Sequence, residues 1–149
     1  MSHSAPHHSE TSVLRGWHLA ALGAVVAVLL QLWGLYRVAG PPQPSWFRFA
    51  DKVEHAVGFA LPLLLILLAG ALRGRFGRQW PGTRMSVLVV AIFAAHAVVS
   101  EVIQHVWYRS RTGDPLDVLA DWLGIAVGFL LFRLIFLHRS RALESLATS

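Results

Sequence analysis

The chain has 149 residues, of which 55% are hydrophobic and only 14% charged, against roughly 25% charged in ordinary soluble domains. With a mean hydropathy of +0.54, that balance excludes a typical soluble globule. The absence of cysteine excludes disulfides, thiolate metal sites and cysteine nucleophiles. A net charge of +5 would suggest nucleic acid in a soluble protein, but the arginines here flank apolar runs, as basic residues do at membrane borders.

The first twelve residues, MSHSAPHHSETS, are polar and aperiodic, and a disordered tail is expected through residue 15. His3, His7 and His8 have no scaffold there to hold a metal. An apolar run follows over residues 17–38. At 1.5 Å rise per residue, about 20 helical residues cross the roughly 30 Å hydrocarbon core. A cleaved signal peptide would have an apolar region of only about 7–15 residues and a small-residue cleavage site. Here Pro41 and Pro42 follow the longer run at once, so it is expected to be a retained anchor.

Further spans are expected over 53–72, with Pro62 inside, over 86–107, and over 115–137. The loops between them are short, which favours sequential antiparallel neighbours. The expected fold is therefore all-α: a polytopic membrane protein with four transmembrane helices in an antiparallel bundle, spanning residues 16–138, followed by a tail at 139–149. Arg15, Arg73, Arg75, Arg78, Arg84, Arg133, Arg139 and Arg141 fall on one side, and Arg37, Arg48, Lys52, Arg109 and Arg111 on the other. The first group includes the dense loop GALRGRFGRQWPGTR, so both termini are expected in the cytoplasm.

Ionisable residues at the edge of a span are costly and informative. The second span opens with Asp51, Lys52, Glu54 and His55; the third closes with His96, Ser100, Glu101, Gln104 and His105; the fourth opens with Asp114, Asp117 and Asp121. In an antiparallel bundle these segments share one side, the outer one by the charge count. At about 100° per residue, Asp114, Asp117, Asp121, Gly124 and Gly128 fall within roughly 80°. His96, Ser100 and Gln104 share about 80°, and Asp51, His55, Gly58 and Pro62 about 60°. Three polar stripes thus converge, and the Gly124/Gly128 pair permits close helix packing.

Plainer roles stand beside that convergence. Asp114 before Pro115 reads as a helix N-cap, and Asp117 suits the helix dipole. Asp51 also reads as a cap, and Lys52 as a snorkelling interfacial residue. His96 reads as a polar side chain packed on a neighbour. Asp121, two turns inside, has no capping explanation. Glu101 needs a partner, for which Arg111 and His55 are available.

The stretch DKVEHAVGF, and SEVIQ followed by RTGDPLDVLADWLGIAVG, resemble in order and spacing the two signatures of the VanZ-like membrane proteins. On that resemblance the family positions fall on Asp51, Lys52, His55, Glu101, Gln104, Arg111, Asp114, Asp117, Gly124 and Gly128. Asp121 stands where the family usually has asparagine. Ionised aspartate only accepts hydrogen bonds, so it is expected either to carry a proton or to lie beside a cation such as Arg111. The family takes its name from an accessory protein of glycopeptide resistance linked to reduced teicoplanin sensitivity.

The resemblance implies a protein of the bacterial cytoplasmic membrane with Asp51, Lys52, His55, Glu101, Gln104, Arg111 and Asp117 as binding or site-organising residues, and Asp121, on the same stripe, is expected to join them. The expected partners are membrane lipids or a lipid-linked envelope precursor, with Lys52, Arg109 and Arg111 meeting an anionic group beside Trp46, Trp107 and Tyr108. An intramembrane enzyme such as a metal-assisted hydrolase, with His55, Glu101, His105, Asp117 and Asp121 supplying suitable ligand types and a carboxylate as base, is the principal alternative. A proton relay through His96, Glu101 and Asp121, and a purely structural network, are the others. No standard metal-ligand spacing occurs, no metal ligand is assigned, and no cofactor or nucleic acid is implied.

Overall fold

The structure is a computed structural model that describes residues 7–37, 49–73, 83–107 and 114–147, with side chains described over 16–37, 49–73, 84–107 and 114–136. Four helices account for it: α1 His7–Tyr36, α2 Ala50–Arg73, α3 Thr83–Trp107 and α4 Pro115–Ala147. Each contains a stretch long and apolar enough to cross a membrane: Gly16–Tyr36, Ala50–Arg73, Arg84–Trp107 and Pro115–Phe136. These stretches match the expected spans to within three residues at each end.

The helices form for a reason that intrinsic propensity does not supply. Helix α3 carries VLVV and AVV segments, and β-branched residues cost up to about 0.7 kcal/mol each relative to alanine. An unsatisfied backbone group in lipid costs several kcal/mol, so the backbone must bond within its own segment. The second effect wins. The same argument lets Pro62 sit buried inside α2. Helices α1 and α4 outrun their membrane stretches. Helical backbone from His7 covers most of the segment expected as a disordered tail, and α4 continues through 139–147. A helix already nucleated in the membrane extends without a new nucleation cost, and RALESLA is built of good helix formers.

The distribution of side chains is inverted relative to a soluble bundle. Leu22, Leu29, Val57, Ile92, Leu123 and Leu130 are exposed, whereas Ser100, Glu101, Gln104, Asp117 and Asp121 are buried. Exposed apolar faces on every helix need lipid around them. The chain is a multi-pass membrane protein.

Helix directions follow from the contacts. Trp17 meets Arg73 across a cation–π contact of 5.5 Å, and Gly23 faces Leu65, so α1 and α2 are antiparallel. Trp122 donates from Nε1 to the Ala94 carbonyl at 3.2 Å, and Asp114 meets Glu101, so α3 and α4 are antiparallel too. The bundle thus runs up-down-up-down. Its packing is not simply sequential, however. Helix α2 lies mainly against α1 and α4, and α3 mainly against α4. Leu35, Phe59, Leu63, Leu67, Phe93, Ala97, Ile125 and Phe132 form the apolar core between them.

The α2–α4 contact is parallel and very close. A Cβ on Gly124 would lie 2.7 Å from the carbonyl carbon of Ala56 and 2.8 Å from its Cα. One on Gly128 would lie 2.6 Å from the Ala60 carbonyl oxygen. Ala56 and Ala60 on one helix therefore face Gly124 and Gly128 on the other, a small-residue seam. Gly124→Ala is expected to cost about 3 kcal/mol and Gly128→Ala about 1–2 kcal/mol, because the overlap is with backbone that cannot rotate away. Nothing lies within 4 Å of a Cβ on Gly16, so Gly16→Ala should be neutral or slightly stabilising. Equilibrium unfolding of the three variants in mixed micelles checks the order.

Candidate functional site

The α2–α4 seam leads directly into a polar cluster at the end of the bundle where α2 and α4 begin and α3 ends. Just beyond the contact of Ala56 with Gly124, at the residue before Ala56 and about one turn before Gly124, His55 Nδ1 lies 3.0 Å from Asp121 Oδ1. One turn further out, Lys52 donates from Nζ to Asp117 Oδ1 and, at 2.6 Å, to Asp114 Oδ2. His55 Nε2 faces Asp117 Oδ2 at 3.9 Å. Asp51 is a longer partner of Lys52, at 3.5 Å and at the exposed edge.

Helix α4 begins as its sequence implies. Leu116 N–H donates to Asp114 Oδ1 at 2.9 Å, which is the N-cap bond to the second helical residue. Pro115 has no N–H to leave unsatisfied. The cap's own N–H donates to Glu101 Oε2 of α3 at 3.0 Å. In a capping box that bond comes from the third residue of the same helix; here a neighbouring helix supplies it, and the α4 terminus is fastened to α3. The Lys52 ammonium, followed by the Leu116 N–H, holds the Asp114 carboxyl below its usual value of 3.8. Its stabilising contribution is complete above 3.8 and is lost as pH falls through the lower folded value.

Asp121 is fully buried and Glu101 is 6% exposed. Each has one carboxylate oxygen bonded as described, while Glu101 Oε1 and Asp121 Oδ2 are buried without a hydrogen-bond partner. His55, Glu101 and Asp121 each offer a ligand atom within 4.8 Å of the others, as do Asp51, His55 and Asp117. Gln104 is buried on the same face of α3. Ser100 bonds back to the Ala97 carbonyl at 2.9 Å, a local helix bond. Lower down, His96 Nε2 meets Tyr36 OH at 3.1 Å and its ring lies 5.6 Å from Phe59, the packing role expected of it.

The structure therefore brings together Lys52, His55, Glu101, Asp117 and Asp121, with Asp51 at the rim. Lys52 is more than a snorkelling cation: it is the counterion of two aspartates. The residue beside Asp121 is His55, whose Nδ1 shares a hydrogen bond with it. Arg109 and Arg111 lie outside the described residues, as do Trp46 and Tyr108. His105 and Glu54 are exposed, and His105 belongs to neither three-residue group.

Sequence reasoning missed the groove beside the cluster. A cavity of about 460 Å³ runs between α1 and α2, where Leu30, Val57 and Leu61 meet Gln31, Gly34 and Gly58 and where Arg37, Asp51, Glu54 and His55 form the polar end. A Cβ on Gly34 or Gly58 would meet nothing within 4 Å, so these glycines leave the groove wide. Pro62, also on its wall, lacks the N–H that would bond the Gly58 carbonyl in a regular helix. Arg37 stacks over Trp33 at 4.9 Å. The signal available in the sequence was Arg37 at the end of α1, which the charge count used only for orientation, with Gly34 one turn before it.

Fold and site define a four-helix membrane protein with a buried, ionisable cluster at one end and a lateral groove alongside it. No protein-family model, curated protein or solved structure matches the chain.

The two kinds of ion pair predict different costs. Breaking a buried pair costs about 3–5 kcal/mol, whereas an exposed pair contributes about 0–1 kcal/mol. With the Lys52 and Asp117 side chains 25% and 11% exposed, Lys52→Met is expected to lose about 2 kcal/mol. Asp51→Asn should stay within about 1 kcal/mol of wild type. Unfolding midpoints of the two variants in the same detergent make the comparison.

Proposed function

We propose that this chain is a VanZ-like membrane protein of the bacterial cytoplasmic membrane that binds an amphiphile, a membrane lipid or lipid-linked envelope precursor, at its polar end. The observation that carries this reading is the α1–α2 groove, lined mainly by apolar residues with Gln31 among them and with Arg37, Asp51, Glu54 and His55 at its polar end. Several of its wall residues, including Leu30, Val57 and Leu61, are exposed to the bilayer side, so a hydrocarbon chain enters from the membrane without crossing water. Mixed charge at the mouth suits a headgroup with both acceptors and donors. Arg37 is the cation suited to a phosphate, through its planar array of donors. It takes the part that Lys52 was expected to play, since Lys52 is held by Asp114 and Asp117. The resemblance of DKVEHAVGF and RTGDPLDVLADWLGIAVG to the VanZ-like signatures supports the envelope setting, and a role in glycopeptide resistance belongs to the same reading.

The orientation that goes with it has both termini in the cytoplasm and the polar end outward, on the arginine count. A phosphatase reporter active outside the membrane should be silent when fused after Ser149 and active when inserted in the loop between α3 and α4. The reverse pattern would invert the proposed topology.

The binding reading is tested in nanodiscs made from phosphatidylglycerol doped with a polyprenyl phosphate. Native mass spectrometry is expected to find one of these phosphorylated amphiphiles retained by wild type. Gly34→Leu and Gly58→Leu add bulk to the groove wall where a Cβ meets nothing within 4 Å and should weaken retention at least ~10-fold, and Arg37→Ala should weaken it by a similar factor. Equal retention by all four proteins would dismiss the groove as the binding site.

A further inference from the structure

We propose that His55, Glu101 and Asp121 together hold a divalent first-row metal ion, zinc or manganese by the character of their donors, inside the polar end of the bundle. Three helices contribute one ligand each: His55 from α2, Glu101 from α3 and Asp121 from α4. Their ligand atoms already lie within 4.8 Å of one another, so small side-chain adjustments bring them around an ion at the roughly 2.0–2.2 Å that imidazole and carboxylate ligands adopt.

Independent of that clustering, two buried carboxylate oxygens point to something that would satisfy them. Glu101 Oε1 and Asp121 Oδ2 have no hydrogen-bond partner, on residues 6% and 0% exposed. A buried carboxylate without compensation is among the most costly groups a membrane protein can contain. The polar bonds described for the cluster do not remove that cost. Lys52 is held by Asp114 and Asp117, and the one bond from Asp114 N–H leaves the Glu101 charge uncancelled. Among the described residues, His55 is the nitrogen ligand grouped with both Glu101 and Asp121. A dication balances the two carboxylates and takes the imidazole as a neutral third ligand.

The surroundings fit such an ion. In the present geometry Nδ1 faces Asp121 and Nε2 faces Asp117 Oδ2 at 3.9 Å. With Nδ1 on the metal, Nε2–H is left to donate to Asp117 as the two draw closer, giving the carboxylate–histidine–metal relay that fixes ligand orientation. Asp117 is itself held by Lys52. Three protein ligands leave a coordination position open, as in sites that bind or activate a further oxygen ligand. His55 also lines the groove, so the ion adjoins it. The other three-residue group, Asp51, His55 and Asp117, is the weaker choice because Asp51 is exposed and Asp117 has Lys52.

The full chain in nanodiscs is stripped with chelator, dialysed against zinc or manganese, and analysed for metal against empty nanodiscs. Wild type is expected to retain one ion per chain. Glu101→Gln and Asp121→Asn should each weaken binding at least ~100-fold, on the scale of losing a ligand rather than a supporting contact. Asp121→His, which keeps a ligand, should retain the ion, as should the His3→Ala/His7→Ala/His8→Ala triple variant. X-ray absorption on metal-loaded wild type should show imidazole within a shell of light atoms, a readout that does not depend on any variant folding. No ion retained by wild type, full retention by the folded Gln and Asn variants, or a first shell without imidazole would each overturn the assignment. In the first case, a protonated-carboxyl band in the infrared that Asp121→Asn removes would identify a proton as what neutralises the cluster.

Discussion

The close approach of α4 to α2 is the constraint on which the rest of this structure depends. Gly124 and Gly128 let the α4 backbone settle against Ala56 and Ala60, and side chains larger than hydrogen would push the helices apart. The polar contacts are the continuation of the same seam toward the membrane surface: Ala60 opposite Gly128, Ala56 opposite Gly124, His55 opposite Asp121, and Lys52 opposite Asp117. Lysine and histidine at the start of α2 reach their aspartates because the glycines have already set the distance and the register. Separation by even one methyl group would turn direct bonds into gaps. The apolar packing thus fixes the geometry, and the charges exploit it.

Polar bonds in membranes contribute modestly, about 0.6 kcal/mol each on average. A network placed there only to glue helices would be better built from serine, threonine or asparagine. This bundle instead concentrates Asp51, Glu101, Asp114, Asp117 and Asp121 around one lysine and one histidine. Part of that acidity has an ordinary cause. Asp114 caps α4, and Asp117 lies in its first turn, where the helix dipole favours negative charge. Glu101 accepts the cap's N–H from α3. Asp121 has no such cause, being a full turn past Asp117 and completely buried. Its placement is the feature that purely structural readings leave unexplained.

Much of the fold was legible from residue order alone, because bilayer thickness and backbone satisfaction leave few alternatives for four apolar runs of this length. The helix ends were nearly as legible: Asp114-Pro115 announced a cap, and the cap is there. The stripe of Asp117, Asp121, Gly124 and Gly128 was visible at helical spacing, and it does face another helix. What the sequence did not carry was which helix. Short loops suggested neighbours in chain order, yet α2 packs chiefly on α1 and α4, and complementarity between Ala56/Ala60 and Gly124/Gly128 decides that. Lys52 was underestimated for the same reason, since a lysine at a span's edge looks like an interfacial anchor until its partner helix is known. His55, Glu101 and Asp121 were legible as suitable ligand types, but spacing rules search along the chain, and only the fold groups these three and leaves His105 out.

The two halves of the site are joined through a single side chain. At about 100° per residue, Asp51, His55, Gly58 and Pro62 occupy one stripe of α2, while Lys52, Ala56 and Ala60 occupy another roughly 100–180° around from Asp51. The first stripe lines the groove against α1, and the second meets α4. His55 lies at the edge of the groove stripe nearest α4, and its ring both lines the groove and bonds Asp121. Any occupant at the polar end of the groove therefore touches a residue whose position is set by the buried carboxylates. A rotation or shift of α2 large enough to alter the groove would also have to break the seam, where the backbone has no room to move. The groove and the cluster are consequently one mechanical unit, and whatever binds at the mouth meets an imidazole held in place by α4 rather than a free surface histidine.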